Sequence, residues 1–488
     1  MFWRVKWISS SHRILSLCCL LIPILLLFPQ VIYSNVSSDI STVIDVNPDF
    51  EILERATLGF GNSALVNTHV IKLDLSPFNN QNKLPDSNSI VVGQSFKLTL
   101  PGEMLPNIFH VESIEEYVPD VLTYRGHIRS NFIDPTTKPI VKPVWRKLEK
   151  DSWFSFSVNK SELLGKINFN GYVYVLQRAN RNSDSYIVSK IDPARIPRDP
   201  DFNDGIITDS SFSNIANLPR LEKTLTQQAS RASSDDGSRN IRVHFLFTND
   251  VDSPNLRASQ IISEFRYALS DSGISLPFRY ITYAGLRYIG RNTTVYGCAR
   301  TDILRDMENR HNVFQNIDSW LNANDADIAF LIYRGLNTAT NDPNFCRTGG
   351  VAIIPGGSTN DLAINSPFGV SADNYAIADL TAVHEIGHIF GGRHPSDNRT
   401  PITMKGFIPT SGAWQTIMGG YDSGNCIFNP NLPPQSQQCV RICQFSNPVQ
   451  THNGVTIGDA LIHNMREWIN SPTLPKLLNP EEHLALRL

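Results

Sequence analysis

HEIGHIFGGRH, running from His384 to His394, is the stretch on which the reading of this chain turns. Asp379 or Thr381 just upstream can cap a helix, and the run AVHEIGHIF has no proline and a single internal glycine. A helix here sets His384 and His388 one turn apart on one face, so both imidazoles can reach one ion at about 2.0–2.1 Å. A catalytic zinc takes three protein ligands and keeps its fourth position open, so a third donor is needed. His394 can supply it only if the helix stops first, and Gly391 and Gly392 permit the left-handed turn that stops it and swings the chain back. Glu385 follows the first ligand and falls beside the ion, where a carboxylate can take a proton from an attacking water and pass it to a leaving amine.

His384, Glu385, His388, Gly391 and His394 together spell HExxHxxGxxH, and in this the chain resembles the metzincin metallopeptidases. WQTIMGGYD (Trp414 to Asp422) is similar to their Met-turn, and QFSNPVQTHNGVTIGDALIHN (Gln444 to Asn464) resembles the closing segment of bacterial reprolysin-like members. The resemblance implies a zinc endopeptidase with one catalytic Zn2+ on His384, His388 and His394, Glu385 as general base, Met418 as an apolar floor, and Tyr421 near the reacting group. Tyr421 lies three residues after Met418 instead of two, and Pro395 stands where reprolysin-like enzymes usually carry Asp; both are departures from the pattern. GGVAIIPGG (Gly349 to Gly357) would be the edge strand above the active-site helix, able to align an extended peptide by β-augmentation. His244, His311, His452 and His463 lie outside the motif and read as ordinary surface or satisfied core histidines.

Working outward, the sequence from Asn240 reads as alternating strand and helix. IRVHFLF (Ile241 to Phe247) is a strand. Ser253 or Asp252 then caps a helix with Pro254 in its first turn, and Ala258, Ile261, Ile262, Phe265 and Leu269 recur at helical spacing before Gly273. A strand over Phe278–Tyr283, a helix over Val313–Leu321 and the strand ADIAFLIY (Ala326 to Tyr333) complete an α/β layer. Before the boundary the pattern is different: SFKLTL, VLTYRGHI, WFSFSV, GYVYVL and SYIVSKI are short strands between Gly, Asn, Asp and Pro punctuation, which makes this half β-rich and meander-like. Between the halves, QQASRASSDDGSR is small, polar and charged, as linkers are, and offers Arg231 and Arg239 as processing sites.

The organisation expected is therefore a signal peptide over 1–34, a β-rich prodomain over 35–200, a linker over 201–238, a metzincin-type catalytic domain over 239–470 and a tail over 471–488. The fold class is α+β multidomain, with a mixed twisted sheet and an active-site helix after the β-rich half. The signal reading rests on Arg4, Lys6 and Arg13 ahead of the apolar stretch Ile14 to Phe28, with an uncleaved anchor as its rival. It implies secretion, with no membrane span after signal removal. A net charge of -3 and the lack of any long Lys/Arg run argue against nucleic acid as a partner. Five of the seven cysteines, Cys298, Cys346, Cys426, Cys439 and Cys443, fall after the signal, which suggests two disulfides and a free thiol with the pairing open. No cysteine lies between residues 19 and 298, so a prodomain that silences this zinc has no thiol with which to do it. The oligomeric state is not legible. The competing reading is an exported metal-binding adhesion or carbohydrate-recognition protein with weak or no hydrolysis.

Overall fold

Alternation of inward apolar and outward polar residues builds the first sheet. In the computed structural model the described residues are 36–39, 41–44, 64–78, 90–103, 106–129, 152–180, 183–196, 241–274, 281–290, 300–334, 349–352, 367–397, 405–410, 414–420, 440–461 and 464. The N-terminal strands are β1 (Val36–Asp39), β2 (Ser41–Ile44), β3 (Leu65–Leu73), β4 (Ser95–Leu98), β5 (Asn107–Val118), β6 (Val121–Arg129), β7 (Trp153–Val158), β8 (Leu163–Phe169), β9 (Tyr172–Arg178) and β10 (Ser185–Ile191). Their order is β1-β4-β5-β6-β7-β8-β9-β10-β3-β2. The expected meander is the run from β4 to β10, all antiparallel neighbours. Its two outer strands, β1 and β2, are separated by residue 40 alone, so the edges meet and the sheet closes into a barrel. Closure removes the exposed edges that an open sheet of this size would present. The interior is aromatic: Phe96, Phe109, Phe154 and Phe156 lie within 5.1–5.9 Å of one another, centroid to centroid.

The second sheet contains β11 (Ile241–Thr248), β12 (Ile281–Ile289), β13 (Ile328–Tyr333), β14 (Gly350–Ala352) and β15 (Phe368–Ala372), in the order β12-β11-β13-β15-β14. It is mixed: the first four in that order run parallel and β14 is antiparallel to β15. The helices are α1 (Pro254–Asp271), α2 (Arg300–Asn309), α3 (Ile317–Ala323), α4 (Asp373–Ala378) and α5 (Thr381–Ile389). Val243, Phe245 and Phe330 join α1 and α5 in one buried cluster, while Leu246, Leu331 and Val370 on the other face join Ile303, Leu304 and Leu321 of α2 and α3. Parallel strands buried on both faces explain why IAFLIY is continuously apolar. Four further short strands, β16 (Trp414–Gln415), β17 (Val440–Arg441), β18 (Asn447–His452) and β19 (Val455–Ile457), form two small pairs.

Several local expectations need correction. Ser253 does occupy the N-cap of α1 and Pro254 its first turn, but the serine hydroxyl makes no cap bond and goes to Glu162 at 2.6 Å. The strand expected over Phe278–Tyr283 is β12, and runs from Ile281 to Ile289. The helix expected over Val313–Leu321 is split into a 3-10 turn, Asn312–Phe314, and α3. Neither Asp379 nor Thr381 caps α5: its N-cap is Leu380, held at φ 58, and Thr381 is its first residue. Asp379 is occupied by Arg441, whose guanidinium donates to its carbonyl at 3.0 Å and reaches its carboxylate at 3.5 Å. Residues 1–34 and 201–238, where the signal and the linker were expected, lie outside the described residues.

Candidate metal centre

The motif folds as its spacing requires. All of α5 is buried, with His384 and His388 one turn apart. After Phe390 the chain turns through Gly391 at φ 90, and two bonds close the end of the helix: Gly391 N–H to His388 O at 2.8 Å and Gly392 N–H to Gly387 O at 2.8 Å. This crossed pair of bonds around a left-handed residue is a Schellman cap, a conformation that a Cβ would penalise. The reversal brings His394 back, so that its Nε2 lies 3.1 Å from Nε2 of His384 and 3.1 Å from Nε2 of His388.

The ring orientations are fixed from outside. His384 Nδ1 sits 2.5 Å from the carbonyl of Ile417, and His388 Nδ1 sits 2.7 Å from the carbonyl of Gly392. A carbonyl only accepts, so each Nδ1 carries the proton and each Nε2 turns its lone pair inward. Burial, reinforced by the neighbouring His384 and His394, holds His388 well below the ordinary histidine range and therefore neutral. The inward lone pairs of His384 and His388 meet His394 Nε2 at 3.1 Å, and a tetrahedral ion at about 2.0–2.1 Å would separate its ligands by about 3.3 Å. The donor set thus fits a zinc-like ion. Among the described residues this is the group of His, Cys, Asp or Glu side chains able to converge on one ion.

The surroundings are close-packed main chain. A Cβ built on Gly387 would fall 2.4 Å from the sulfur of Met418, which is fully buried beneath the helix as the resemblance implied. Ile417, whose carbonyl holds His384, is the residue before it. Gly406 donates to the carbonyl of Arg393 at 2.8 Å and lies against the main chain of Met418, tying the third-histidine loop to that turn. Buried Arg393 and half-buried Asp397 pair at 3.2 Å, and Lys405 donates to Pro395 O at 3.1 Å. Sequence reading did not single out this clamp, although two cations bracketing the third histidine were visible as a charge pattern.

Glu385 is 1% exposed. β14 lies over it: a Cβ on Gly350 would be 2.6 Å from Cγ of Glu385. GGVAIIPGG therefore supplies the terminal strand of the sheet above the helix, as expected, over Gly350–Ala352. Tyr421 lies outside the described residues, as do His463, Cys298, Cys346, Cys426 and Cys439. Cys443 is a buried free thiol. Of the other histidines, His452 packs on Trp414 at 4.8 Å, and His311 lies 4.0 Å from Asp306. His244 departs from the expectation of a satisfied core residue, since it is 2% exposed with neither ring nitrogen hydrogen-bonded.

Residues 286–449 match the family model described as Metallo-peptidase family M12B Reprolysin-like. A protein of Stenotrophomonas maltophilia (strain K279a), the peptidyl-Asp metalloendopeptidase, is 24% identical over 324 residues, covering 63% of this chain and 66% of that protein. The match thus spans just under two thirds of the relative's length. Among solved structures, metalloproteinase-II from Bacteroides fragilis is similar at 13% identity with a TM-score of 0.32, covering 64% of this chain and 84% of that one. No helix among the described residues is long and apolar enough to cross a membrane.

Proposed function

We propose that this chain, which carries a reprolysin-like metallopeptidase domain, is an exported zinc endopeptidase that cleaves internal bonds of extended peptides. The observation that carries the reading is the convergence of three imidazole nitrogens beside a buried carboxylate. His384, His388 and His394 would hold the ion. Zinc in such a site lowers the pKa of water to about 7 and polarises a carbonyl. Glu385 then holds the proton taken from the attacking water and delivers it to the departing amine nitrogen. β14, the last strand of its sheet, offers a template for an extended substrate, and its contact with Glu385 through Gly350 puts the template next to the base. Tyr421 takes a supporting catalytic role, for which Tyr421→Phe is the test.

Around this centre the reading keeps residues 1–34 as a signal peptide and 35–200 as a prodomain. Processing falls within 201–238, the metzincin catalytic domain is 239–470, and 471–488 is a tail. The name of the Stenotrophomonas relative supports aspartate beside the scissile bond as the first specificity to assay. Purified protein should carry one zinc per chain and digest a denatured protein in a chelator-sensitive way. Glu385→Gln should keep the zinc and lose hydrolysis. One zinc per chain with no hydrolysis in the parent protein would instead favour the metal-binding adhesion reading.

A further inference from the structure

Over Leu256–Phe265 α1 is buried on every side, although half of the residues there are polar. Its apolar side faces the second sheet, but Ser259, Gln260, Ser263 and Glu264 on the other side are each 0% exposed, because the barrel covers them. Strands β5 to β8 pack on α1, and β9 packs on α4. The polar groups are matched across this junction. Thr123 Oγ1 meets Ser259 Oγ at 2.8 Å, the Arg125 guanidinium donates to Ser263 O at 2.8 Å, and the Ser157 hydroxyl donates to Gln260 Oε1 at 3.2 Å. Lys166, 1% exposed, donates to Ile377 O on α4 and stands 3.6 Å from the carboxylate of Glu264. The Arg125 guanidinium lies 3.9 Å from the ring centre of Tyr267.

Apolar contact runs through the same junction. Val118, Val121, Trp153 and Leu164 of the barrel share one buried cluster with α1 and α5, and Val173, Val175 and Ile191 share another with Tyr375 and Ala378. A junction with dry apolar contact, matched hydrogen bonds and a buried ion pair has the make-up of a stable protein interface. Among the described residues, the elements packed most extensively on α5 are β14, β15, α4 and α1.

We infer that the barrel is a lasting rear support of α1, which stays bound as a separate chain after the 197–240 connection is cut, with Lys166 and Glu264 setting the specificity of the pairing. A fully buried charge left without its partner is costly, whereas replacing both partners by apolar residues is often neutral. Separation would re-expose the hydroxyl and charged face of α1 together with the apolar contacts of the junction. The inference does not rest on the proteolytic reading, since retention is read without any hydrolysis.

The test uses the full chain carrying Glu385→Gln, with a site-specific protease recognition sequence replacing part of QQASRASSDDGSR (Gln227 to Arg239). After cutting, gel filtration at micromolar concentration should give one peak at the uncut volume containing both fragments. Lys166→Met should weaken the association by at least about 100-fold, and Lys166→Met with Glu264→Met should regain most of it. Two peaks from the cut parent would overturn retention. A double variant that separates as readily as the single one would overturn the role of the ion pair. Elution of each uncut variant at the parental volume with a parental circular dichroism spectrum establishes that it folds. If Lys166→Met fails that check, Arg125→Leu, which removes the bond to Ser263, is read in the same way, and its cut form should also associate more weakly than the parent.

Discussion

An alanine at position 406 would have nowhere to put its methyl group. Its Cβ would fall 2.1 Å from both the carbonyl carbon and the oxygen of Met418 and 2.5 Å from the nitrogen of Gly419, where ordinary contact begins at 3.4 Å. Every one of those atoms is main chain, so no side chain can swing aside, and the gap must open by more than about 1 Å in a close-packed region. The strain falls on two functional segments at once. Ile417, next to Met418, holds Nδ1 of His384, and Gly406 itself is bonded to Arg393, next to His394. Overpacking of this kind costs about 1–3 kcal/mol of stability. Disturbing the group that orients a metal-binding histidine costs about 10–100-fold in metal affinity, or about 1.4–2.7 kcal/mol. Gly406→Ala should therefore bind zinc at least about tenfold more weakly, measured by competition with a fluorescent chelator, and the metal-free protein should melt earlier. Gly290→Ala is the control: nothing lies within 4 Å of its Cβ, and its stability should stay within about 0.5 kcal/mol of the parent. Zinc affinity within twofold of the parent in Gly406→Ala would refute the coupling between the two segments.

Three more outcomes follow from the same geometry. Burial, with Arg287 adding to it, pushes His244 down from 6.5 to about 4; because the unfolded state protonates first, its contribution is complete above about 6.5 and falls by up to about 1.4 kcal/mol per pH unit on the way to about 4. Urea midpoints of the parent and His244→Leu should diverge only in that window, and parallel pH profiles would sink the assignment. Leu380 is 2% exposed at φ 58, so Leu380→Ala should cost about 2–5 kcal/mol by losing a buried side chain. Leu380→Gly should recover about 1 kcal/mol of that by relieving the left-handed backbone; a glycine variant less stable than the alanine variant contradicts the strain. Chelation should lower the melting temperature of the parent, since zinc at about 1,000 times its Kd contributes about 4 kcal/mol, while His394→Ala should melt alike with and without chelator.

What could be read from the chain was what neighbouring residues decide between themselves. The spacing of His384 and His388, the glycines that end α5 and the return of His394 are all set within eleven residues, and the structure brings these groups together. The cap of that helix was misread because Asp379 is engaged by Arg441, 62 residues away, and local sequence offers no sign of the competition. Ser253 is the same case, with its hydroxyl drawn to Glu162 at a separation of 91 residues. α2 escaped notice because its three apolar anchors, Ile303, Leu304 and Met307, sit among the charges of RTDILRDMEN. The barrel's closure was equally hidden, since it depends on one short run of chain pairing to β4 with its first half and to β3 with its second. Nothing local marks the polar residues Ser259, Gln260, Ser263 and Glu264 of α1 as covered, and only tertiary pairing shows that they are.

In the candidate metal centre, His384 and His388 are oriented by main chain. A carboxylate could hold an Nδ1 proton as well as a carbonyl does, but it would bring a charge into a region where each histidine is at most 1% exposed and would itself have to be desolvated. The carbonyls of Ile417 and Gly392 do the work without that cost, and the formal charges of Arg393, Asp397 and Lys405 act on the loop instead of on a ring. Orientation of His384 and His388 is thereby a property of the backbone path around Ile417 and around Gly392. Trimming a side chain near the site leaves those carbonyls where they are, whereas anything that forces the segments apart removes two supports together. Loss of metal binding should consequently be steep for substitutions that displace backbone and shallow for those that do not, even at equal distance from the ion.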